Sequence, residues 1–495
     1  MEHRRIGVLK TLLAGYSSEW RDREDFPEKS ALRELAHLLD NQGDNPFDGF
    51  LKPGDNVVVK PNWVLDRHAR GGDVFSVITH SSMVRAVVDL VYEAIGGVGT
   101  IVIADAPQWN CDFENLLVVS EIAAISDYYR SQKDFEIPII DLRQVGARDR
   151  EPDEARGPWI RSADRQELAG DPRGYVAVDL GAESAFIGMP NAELIYGADY
   201  DRTETRLHHN SERHEYLISK TILEADALIH VPKLKVHKKV GVTINAKGMV
   251  GLNGNKNWLA HYRLGPPSAG GDQFPDGRPL SQQARSRLMQ IARDRFLAHK
   301  SGKRDAVLEG AYRAYRIVKP LLRRGSGTPN SEIPIEGGNW HGNDTAWRMT
   351  ADLARIALYA DADGRIQRTQ QRRFYSVVDG IIAGEGEGPL APDAKSCGVL
   401  IAGSDLLAVD VVGARLMGFD WSKLRSLNWL ASESPQDVGM RDPEREIEIV
   451  SNVPEWTTLL TDPTAPDLRF RPHPAWKGHV ELESAAGESP VPQAI

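Results

Sequence analysis

Three side chains that can carry a positive charge alternate along one short stretch of the sequence. Lys233, Lys235 and His237 occupy every second position, directly after the apolar run 227–231 and Pro232. Successive side chains of an extended strand point to opposite faces, so these three share one face. Such a face can bind an anion, whereas lysines on an edge strand can instead serve to block unwanted pairing. This stretch alone leaves both interpretations open.

An amide and an amine follow this stretch at the start of a glycine-rich turn. Asn245 and Lys247 come after the β-prone run 240–244 and directly precede Gly248. Both side chains can donate hydrogen bonds to a carboxylate or phosphate group. We therefore predict that Asn245 binds substrate and that Lys247 takes part in binding and catalysis.

A second polar group stands where an earlier strand should end. Lys60 and Asn62 follow the apolar run 57–59, and His80 stands at the start of a predicted helix. Lys60 and Asn62 are candidate substrate-binding residues, as are Lys233 and Lys235. Because histidine titrates near neutral pH, His80 and His237 are the candidate general acids or bases.

Four carboxylates lie near glycines in the last third of the chain. Divalent cations take oxygen ligands, and a bendable backbone lets such ligands converge. The candidates for holding a divalent metal ion, or for positioning the substrate, are Asp379, Glu385, Asp405 and Asp410. Their spacing matches no EF-hand loop, and the sequence has no GxxxxGK[ST], HExxH or GxSxG motif.

The elements that would position these residues alternate between strand and helix. Residues 56–60 and 100–104 are predicted strands, and apolar residues recur at helical spacing from Met83 to Ile95 between them. This order predicts a parallel crossover, whose ligands sit beyond the carboxyl ends of the strands. Further along, we predict a single helix over 114–132, a strand over 374–379 and a glycine-rich loop over 380–389.

The predicted fold is α/β, with a mainly parallel sheet, helices on both faces, a helical insertion and a short C-terminal extension. The insertion has twelve lysines and arginines against three acidic residues between positions 280 and 324. The predicted segments are an N-terminal segment (1–50), the first part of the core (51–279), the insertion (280–330), the second part of the core (331–420) and the C-terminal extension (421–495).

Composition narrows the class of protein. The 495 residues are 41% hydrophobic and 26% charged, as in ordinary globular proteins, and the net charge of −10 argues against a nucleic-acid partner. Two cysteines, Cys111 and Cys397, are too few for an iron–sulfur cluster held within the chain and fit a cytoplasmic location. No apolar run is long enough to predict a transmembrane segment.

Several of these pieces together resemble the domain of unknown function (DUF) 362 family. That family typically shows Pro-Lys-Leu-Lys-Thr-His followed by a Lys-Asn pair, and residues 232–237 and 247–248 are similar to both. Val236 stands where threonine is usual, and Gly248 stands where asparagine is usual. The other similar segments, 60–62, 79–80, 379–389 and 403–410, extend the resemblance over most of the chain.

The resemblance also implies two further candidate residues and bears on a redox role. The segment 342–348 resembles the longer family members, and this implies Asn343 and Arg348 as candidate substrate-binding residues. Some members carry ferredoxin-type cysteines, which this chain lacks, so a redox role drawn from them is in doubt here.

Together these observations predict a cytoplasmic enzyme that acts on a small carboxylate- or phosphate-bearing substrate by proton transfer or group transfer. The organic cofactor, if there is one, is unknown. One alternative is a binding or scaffold protein that docks an acidic partner through residues 280–324. The other is a redox protein without iron–sulfur cysteines of its own; with no GxGxxG after the first strand, a flavin would show as a yellow preparation.

Overall fold

The computed structural model describes residues 4–39, 43–147, 165–197, 202–279, 283–284, 307, 337–436 and 440–482. The predicted insertion at 280–330 lies almost wholly outside the described residues, and so does the basic segment assigned to an acidic partner. Both stay predictions.

One large mixed sheet forms the centre of the fold, in the order β16-β1-β15-β14-β10-β2-β3-β4. Strand β15 is antiparallel to both neighbours, whereas the other neighbours along this row are parallel. This confirms an α/β fold with a mainly parallel sheet. The strands are β1 (Arg4–Lys10), β2 (Asn56–Pro61), β3 (Thr100–Asp105), β4 (Ile139–Asp141), β5 (Val145–Ala147), β6 (Arg165–Glu167), β7 (Tyr175–Asp179), β8 (Ile195–Tyr196), β9 (Glu215–Ser219), β10 (Ala227–Val231), β11 (Lys233–His237), β12 (Gly241–Thr243), β13 (Tyr262–Arg263), β14 (Arg373–Glu385), β15 (Asp393–Gly403) and β16 (Ile447–Ser451).

The helices bury apolar side chains in two separate clusters. Val57 and Val59 of β2 join one cluster with α1 and α2, whereas Val58 joins the other with α8 and α9. This alternation follows from the two-residue period of a strand that is covered on both faces. The helices are α1 (Pro27–Leu38), α2 (Ser81–Ala94), α3 (Phe113–Ser120), α4 (Ala123–Lys133), α5 (Arg202–His208), α6 (Lys220–Leu223), α7 (Asn245–Gly248), α8 (Ala346–Tyr359), α9 (Leu406–Leu416), α10 (Arg425–Ser432) and α11 (Pro443–Glu446). Among the described helices, none has the length and apolar character needed to cross a membrane.

Pro232 separates two strands that follow each other along the chain. Proline has no N–H to donate, so the ladder of β10 ends there, while Pro232 O accepts a hydrogen bond from the N–H of Asp379 at 2.8 Å. Strand β11 then continues beside β14 in a shifted register, with Lys233 opposite Asp379 and Lys235 opposite Gly384. The charged stretch is thereby carried into the sheet instead of leaving it.

The predicted glycine-rich loop at 380–389 is wrong for its first six residues. Strand β14 continues through Glu385, and Gly384 pairs with Ala394 of β15 as well as with Lys235 of β11. A Cβ atom at Gly384 would lie 2.7 Å from the carbonyl oxygen of Ser76, so this glycine allows a close approach of two backbones.

The single helix predicted over 114–132 is also wrong, because two helices occupy this range. Helix α3 ends at Ser120, and Glu121 adopts a left-handed conformation with φ of 55° before α4 begins at Ala123. Ser81 Oγ donates a 2.6 Å hydrogen bond to the carbonyl of Ser120, so a contact from α2 fixes the point where α3 ends.

Both ends of the described chain contribute to the main sheet. Strand β1, from the predicted N-terminal segment, pairs in parallel with β16, from the predicted C-terminal extension. The segment boundaries stay predictions, but the strands on either side of them share one sheet.

Candidate functional site

Two parallel strands end in a buried ion pair. Lys60, near the end of β2, places Nζ 2.7 Å from Oδ1 of Asp105, the last residue of β3. The N–H of Trp63 donates to the other oxygen of Asp105 at 2.7 Å. Gly251 packs so closely that a Cβ atom there would lie 1.9 Å from Asp105 Oδ1 and 2.7 Å from Lys60 Nζ. This approach of the backbone therefore requires glycine at position 251.

A second buried ion pair joins β11 to β14. Lys233 Nζ lies 2.6 Å from Asp379 Oδ2, and neither side chain is exposed. Tyr16 completes the arrangement, since its hydroxyl donates to Asp379 Oδ1 at 2.7 Å and accepts from Lys233 Nζ at 2.7 Å. Burial lowers the pKa of Lys233, while Asp379 opposes that effect. This pair is satisfied within the protein and offers no free charge to a ligand.

His80 lies against the same pair. Its ring stacks on Tyr16 with 3.9 Å between ring centroids, and its Nδ1 caps α2 by accepting from the N–H of Ser82. Burial and the charge of Lys233 lower the pKa of His80 to about 3. The imidazole is therefore neutral at pH 7, and its packing and capping contacts account for its position.

Lys235 and Lys247 differ from Lys233 because no carboxylate pairs with either amine among the described residues. Lys235 is fully buried, and its Nζ donates only to the carbonyl oxygen of Val77. Burial, then the charges of Lys233 and Lys247, bring the pKa of Lys235 well below its ordinary value. Lys247 is half-buried in α7, and its amine has no hydrogen bond or ion pair within the described ranges. Burial and Lys60 lower the pKa of Lys247 to about 8.

His237, at the end of β11, faces the same cations. Its Nδ1 accepts a 3.1 Å hydrogen bond from the N–H of Lys239. Burial, then Lys247 and other neighbouring lysines, bring the pKa of His237 well below its ordinary value. Its imidazole is therefore neutral at pH 7, like that of His80.

The structure adds two lysines that the sequence analysis did not assign to the site. Lys256 Nζ donates to the carbonyls of Ala106 at 2.8 Å and Asn253 at 3.1 Å, and burial lowers its pKa to about 7. Lys239 Nζ donates to the carbonyl of Gly337, and burial together with Lys238 lowers its pKa to about 7. The only sequence signal for Lys256 was its place after the glycine-rich run.

These residues form what we call the lysine cluster: Lys60, Lys235, Lys239, Lys247 and Lys256. Lys247 is its centre, because its charge acts on Lys235 and Lys239 while Lys60 acts on Lys247 itself. The acidic residues whose charge acts on these lysines already have cationic partners. The pairs are Asp105 with Lys60, Asp141 with Arg143, and Asp272 with Arg263. The cluster therefore carries an excess of positive charge.

Asn245 fixes the helix that bears Lys247. Asp410 accepts from the backbone N–H groups of Asn245 at 2.7 Å and Ala246 at 2.8 Å, and burial raises the pKa of Asp410 to about 7. The Asn245 side-chain oxygen accepts from Ser376 Oγ at 2.8 Å and lies 2.9 Å from His230 Nδ1. Asn245 Nδ2, however, is buried without a hydrogen-bond partner among the described residues. One amide atom thus positions α7, while the amide as a whole also lowers the pKa of Asp410 and its Nδ2 retains hydrogen-bonding capacity.

Asn62, Asn343 and Arg348 have different surroundings. The side-chain oxygen of Asn62 is buried without a partner in the described part of the chain. Asn343 donates to the carbonyls of His261 at 3.0 Å and Gly338 at 2.9 Å, and it accepts from two N–H groups at the start of α8. Arg348 pairs with Asp344 at 3.2 Å. Asn343 and Arg348 therefore have structural partners, whereas Asn62 retains an unused acceptor.

The four predicted metal ligands are not brought together. Asp379 pairs with Lys233, Asp410 holds α7, Glu385 pairs with Arg471 at 2.8 Å, and Asp405 pairs with Arg4 at 2.6 Å. Within the described ranges, no group of three or more histidine, cysteine, aspartate or glutamate side chains is arranged to hold a metal ion. A metal on these residues stays a prediction.

The fold and the site define an α/β protein whose parallel strands end beside a cluster of buried and half-buried lysines. The model of the family described as Domain of unknown function (DUF362) matches residues 163–415, and the chain belongs to this family. No curated protein matches this chain. One similar solved structure is a Northeast Structural Genomics Consortium crystal structure of a protein from Thermotoga maritima. It is 11% identical, has a TM-score of 0.30, and the similarity covers 77% of this chain and 56% of that one.

Proposed function

We propose that the lysine cluster binds a small anion with carboxylate or phosphate groups. The observation that carries this proposal is the state of Lys247, which lies among other cations and has no counterion among the described residues. Buried charges are normally paired, so an anionic ligand would supply the missing partner. The unpartnered atoms of Asn245 and Asn62 would add a hydrogen-bond donor and an acceptor for the same ligand.

We further propose that the protein is an enzyme and that Lys247 moves a proton or supports group transfer. An acid or base is most effective when its pKa lies near the working pH. Lys247, with a pKa lowered to about 8, meets this condition better than His80, whose pKa falls to about 3. An amine that titrates near neutral pH can both release and take up a proton, so proton transfer between two positions of one substrate is the reaction that Lys247 supports best.

The anion site can be tested with sulfate and oxalate, measured as the rise in melting temperature. We expect both anions to stabilise the parent protein and to lose most of that effect in Lys247→Gln and Lys235→Gln. The matched control is Lys52→Gln, which removes the same charge from an exposed turn. Equal stabilisation of all four proteins would contradict the proposed site and would indicate the general salting effect of sulfate.

The cofactor and the location complete the proposal. A divalent metal would be detected by elemental analysis of gently purified protein, and its stoichiometric absence would contradict a tightly held ion.

A cytoplasmic location is supported by Cys111 and Cys397, which are both buried free thiols. Cell fractionation with an antibody would test it directly.

A further inference from the structure

Lys247 differs from every other member of the lysine cluster in the state of its amine. Lys60 is held by Asp105, Lys235 by the carbonyl of Val77, and Lys256 by two carbonyls. Lys239 is held by the carbonyl of Gly337. Only the amine of Lys247 is half-buried yet free of hydrogen bonds in the described part of the cluster, so all of its N–H groups are open to a ligand.

A neighbouring lysine provides a useful comparison outside the cluster. The amine of Lys238 also has no hydrogen bond within the described ranges, and it is similarly half-buried. The charge that acts on Lys238 most strongly, however, is the carboxylate of Glu387. Lys238 therefore already has a carboxylate near it, whereas the charge that acts most strongly on Lys247 is that of another cation, Lys60.

We propose that Lys247 forms a Schiff base with the carbonyl carbon of a small anionic aldehyde or 2-oxo acid. The inference rests on the proposed function, since Lys235 and Lys256 would hold the anionic group while Lys247 reaches the carbonyl. A lysine that is desolvated and placed beside another cation is activated as a nucleophile in this way. The pKa of about 8 leaves about one amine in ten unprotonated at pH 7.

The chemical step balances without an oxidant or a metal. The unprotonated Nζ of Lys247 attacks the carbonyl carbon, and a C–N bond forms as the C–O π pair takes up a proton. The nitrogen then releases a proton to water. The resulting hydroxyl leaves as water after protonation, and a C=N bond remains.

Reductive trapping tests this step on the full-length protein. The protein is incubated at pH 7 with pyruvate and cyanoborohydride, which reduces only the imine, and the modified lysines are mapped by peptide mass spectrometry. We expect Lys247 to be modified roughly tenfold or more faster than the exposed Lys52, because its lowered pKa frees more amine. Sulfate should slow this modification, and Lys247→Arg should abolish it while keeping the positive charge.

The outcomes separate this inference from the proposed anion site. Modification of Lys247 no faster than that of Lys52, or preferential modification of Lys238 or Lys239, would overturn the Schiff-base assignment. If sulfate still raised the melting temperature of the parent in that case, the anion site would stand alone. Rapid modification of Lys247 without any sulfate effect would support the reactive amine and contradict the anion site.

Discussion

Two lysines of one strand, Lys233 and Lys235, have opposite electrostatic environments. Lys233 forms a closed ion pair with Asp379 that Tyr16 completes, so its charge is neutralised inside the protein. Lys235 donates to a backbone carbonyl, has no carboxylate partner among the described residues, and has its pKa lowered further by the charge of Lys247. Although both are fully buried, one stabilises the junction of β11 and β14, and the other adds to an excess of charge. Burial alone therefore does not distinguish the two lysines, whereas the presence of a counterion does.

Breaking the closed pair should have the largest effect on stability. Asp379→Asn leaves Lys233 as a buried charge without its partner, and such changes cost about 3–5 kcal/mol. Urea unfolding should show this loss in the free energy of unfolding. The control is Asp393→Asn, a carboxylate whose side chain is 67% exposed in its ion pair with Arg471. A loss below about 1 kcal/mol for Asp379→Asn would contradict the structural role assigned to this pair.

The pair of Lys60 and Asp105 should be sensitive to the backbone packed against it. Gly251→Ala places a Cβ atom 1.9 Å from Asp105 Oδ1, so the pair must separate or the turn must shift. Overpacking of this kind costs about 1–3 kcal/mol, and we expect the sulfate-induced stabilisation to fall with it. Gly15→Ala is the matched control, because a Cβ atom there meets nothing within 4 Å. If the two variants unfolded alike, the close approach at position 251 would be disproved.

Removing a charge from the lysine cluster should raise the free energy of unfolding, whereas the two substitutions above should lower it. Lys247→Met keeps an unbranched side chain but removes a cation whose folded-state pKa, about 8, lies below its ordinary value of 10.5. Below pH 8 the folded protein bears the cost of burying that charge, so the variant should be more stable by about 1–2 kcal/mol, allowing for partial solvation.

The pH dependence of the Lys247→Met effect follows from proton binding. Between pH 8 and 10.5 the unfolded parent binds more protons at Lys247 than the folded parent, so stability of the parent rises with pH. The advantage of Lys247→Met should therefore shrink across that range, as measured by urea unfolding at pH 6.5, 8 and 10. Lys52→Met should show no such trend, and a destabilised Lys247→Met at pH 6.5 would contradict an uncompensated charge.

Local patterns in the sequence predicted the elements that carry the site but not all of their limits. The β-branched runs and the period of two placed Lys233, Lys235 and His237 in one strand correctly. The extension of β14 through Gly384 was missed because glycine is typical of turns, and only pairing with β15 and β11 keeps it extended. The break between α3 and α4 was missed because Glu121, a residue with no turn preference, is left-handed there.

The candidate residues were predicted by type, whereas their partners could not be. Asp379 and Asp105 look alike in the sequence, and their lysine partners lie 146 residues away in one case and 45 in the other. Long-range pairing also determines the role of Asp405, which forms an ion pair with Arg4. Lys256 has no local signal beyond its place after the glycine-rich run, because its position near Asp105 depends on how the turn at Gly251 packs.

The smallest expected effect is the pH dependence of anion binding at the lysine cluster. The ion pair of Lys233 and Asp379 should not contribute to it. Sulfate keeps its charge across neutral and alkaline pH, so any change in binding reports the protein. Lys247 must be protonated to attract it, and binding should therefore weaken as pH rises through about 8, by up to about tenfold for each pH unit above that value. Isothermal titration calorimetry at pH 6.5, 7.5 and 8.5 would measure this. In Lys247→Met the remaining sulfate affinity should vary less over the same range, since the titrating group is gone, and an unchanged slope in that variant would assign the pH dependence to Lys239 or Lys256 instead.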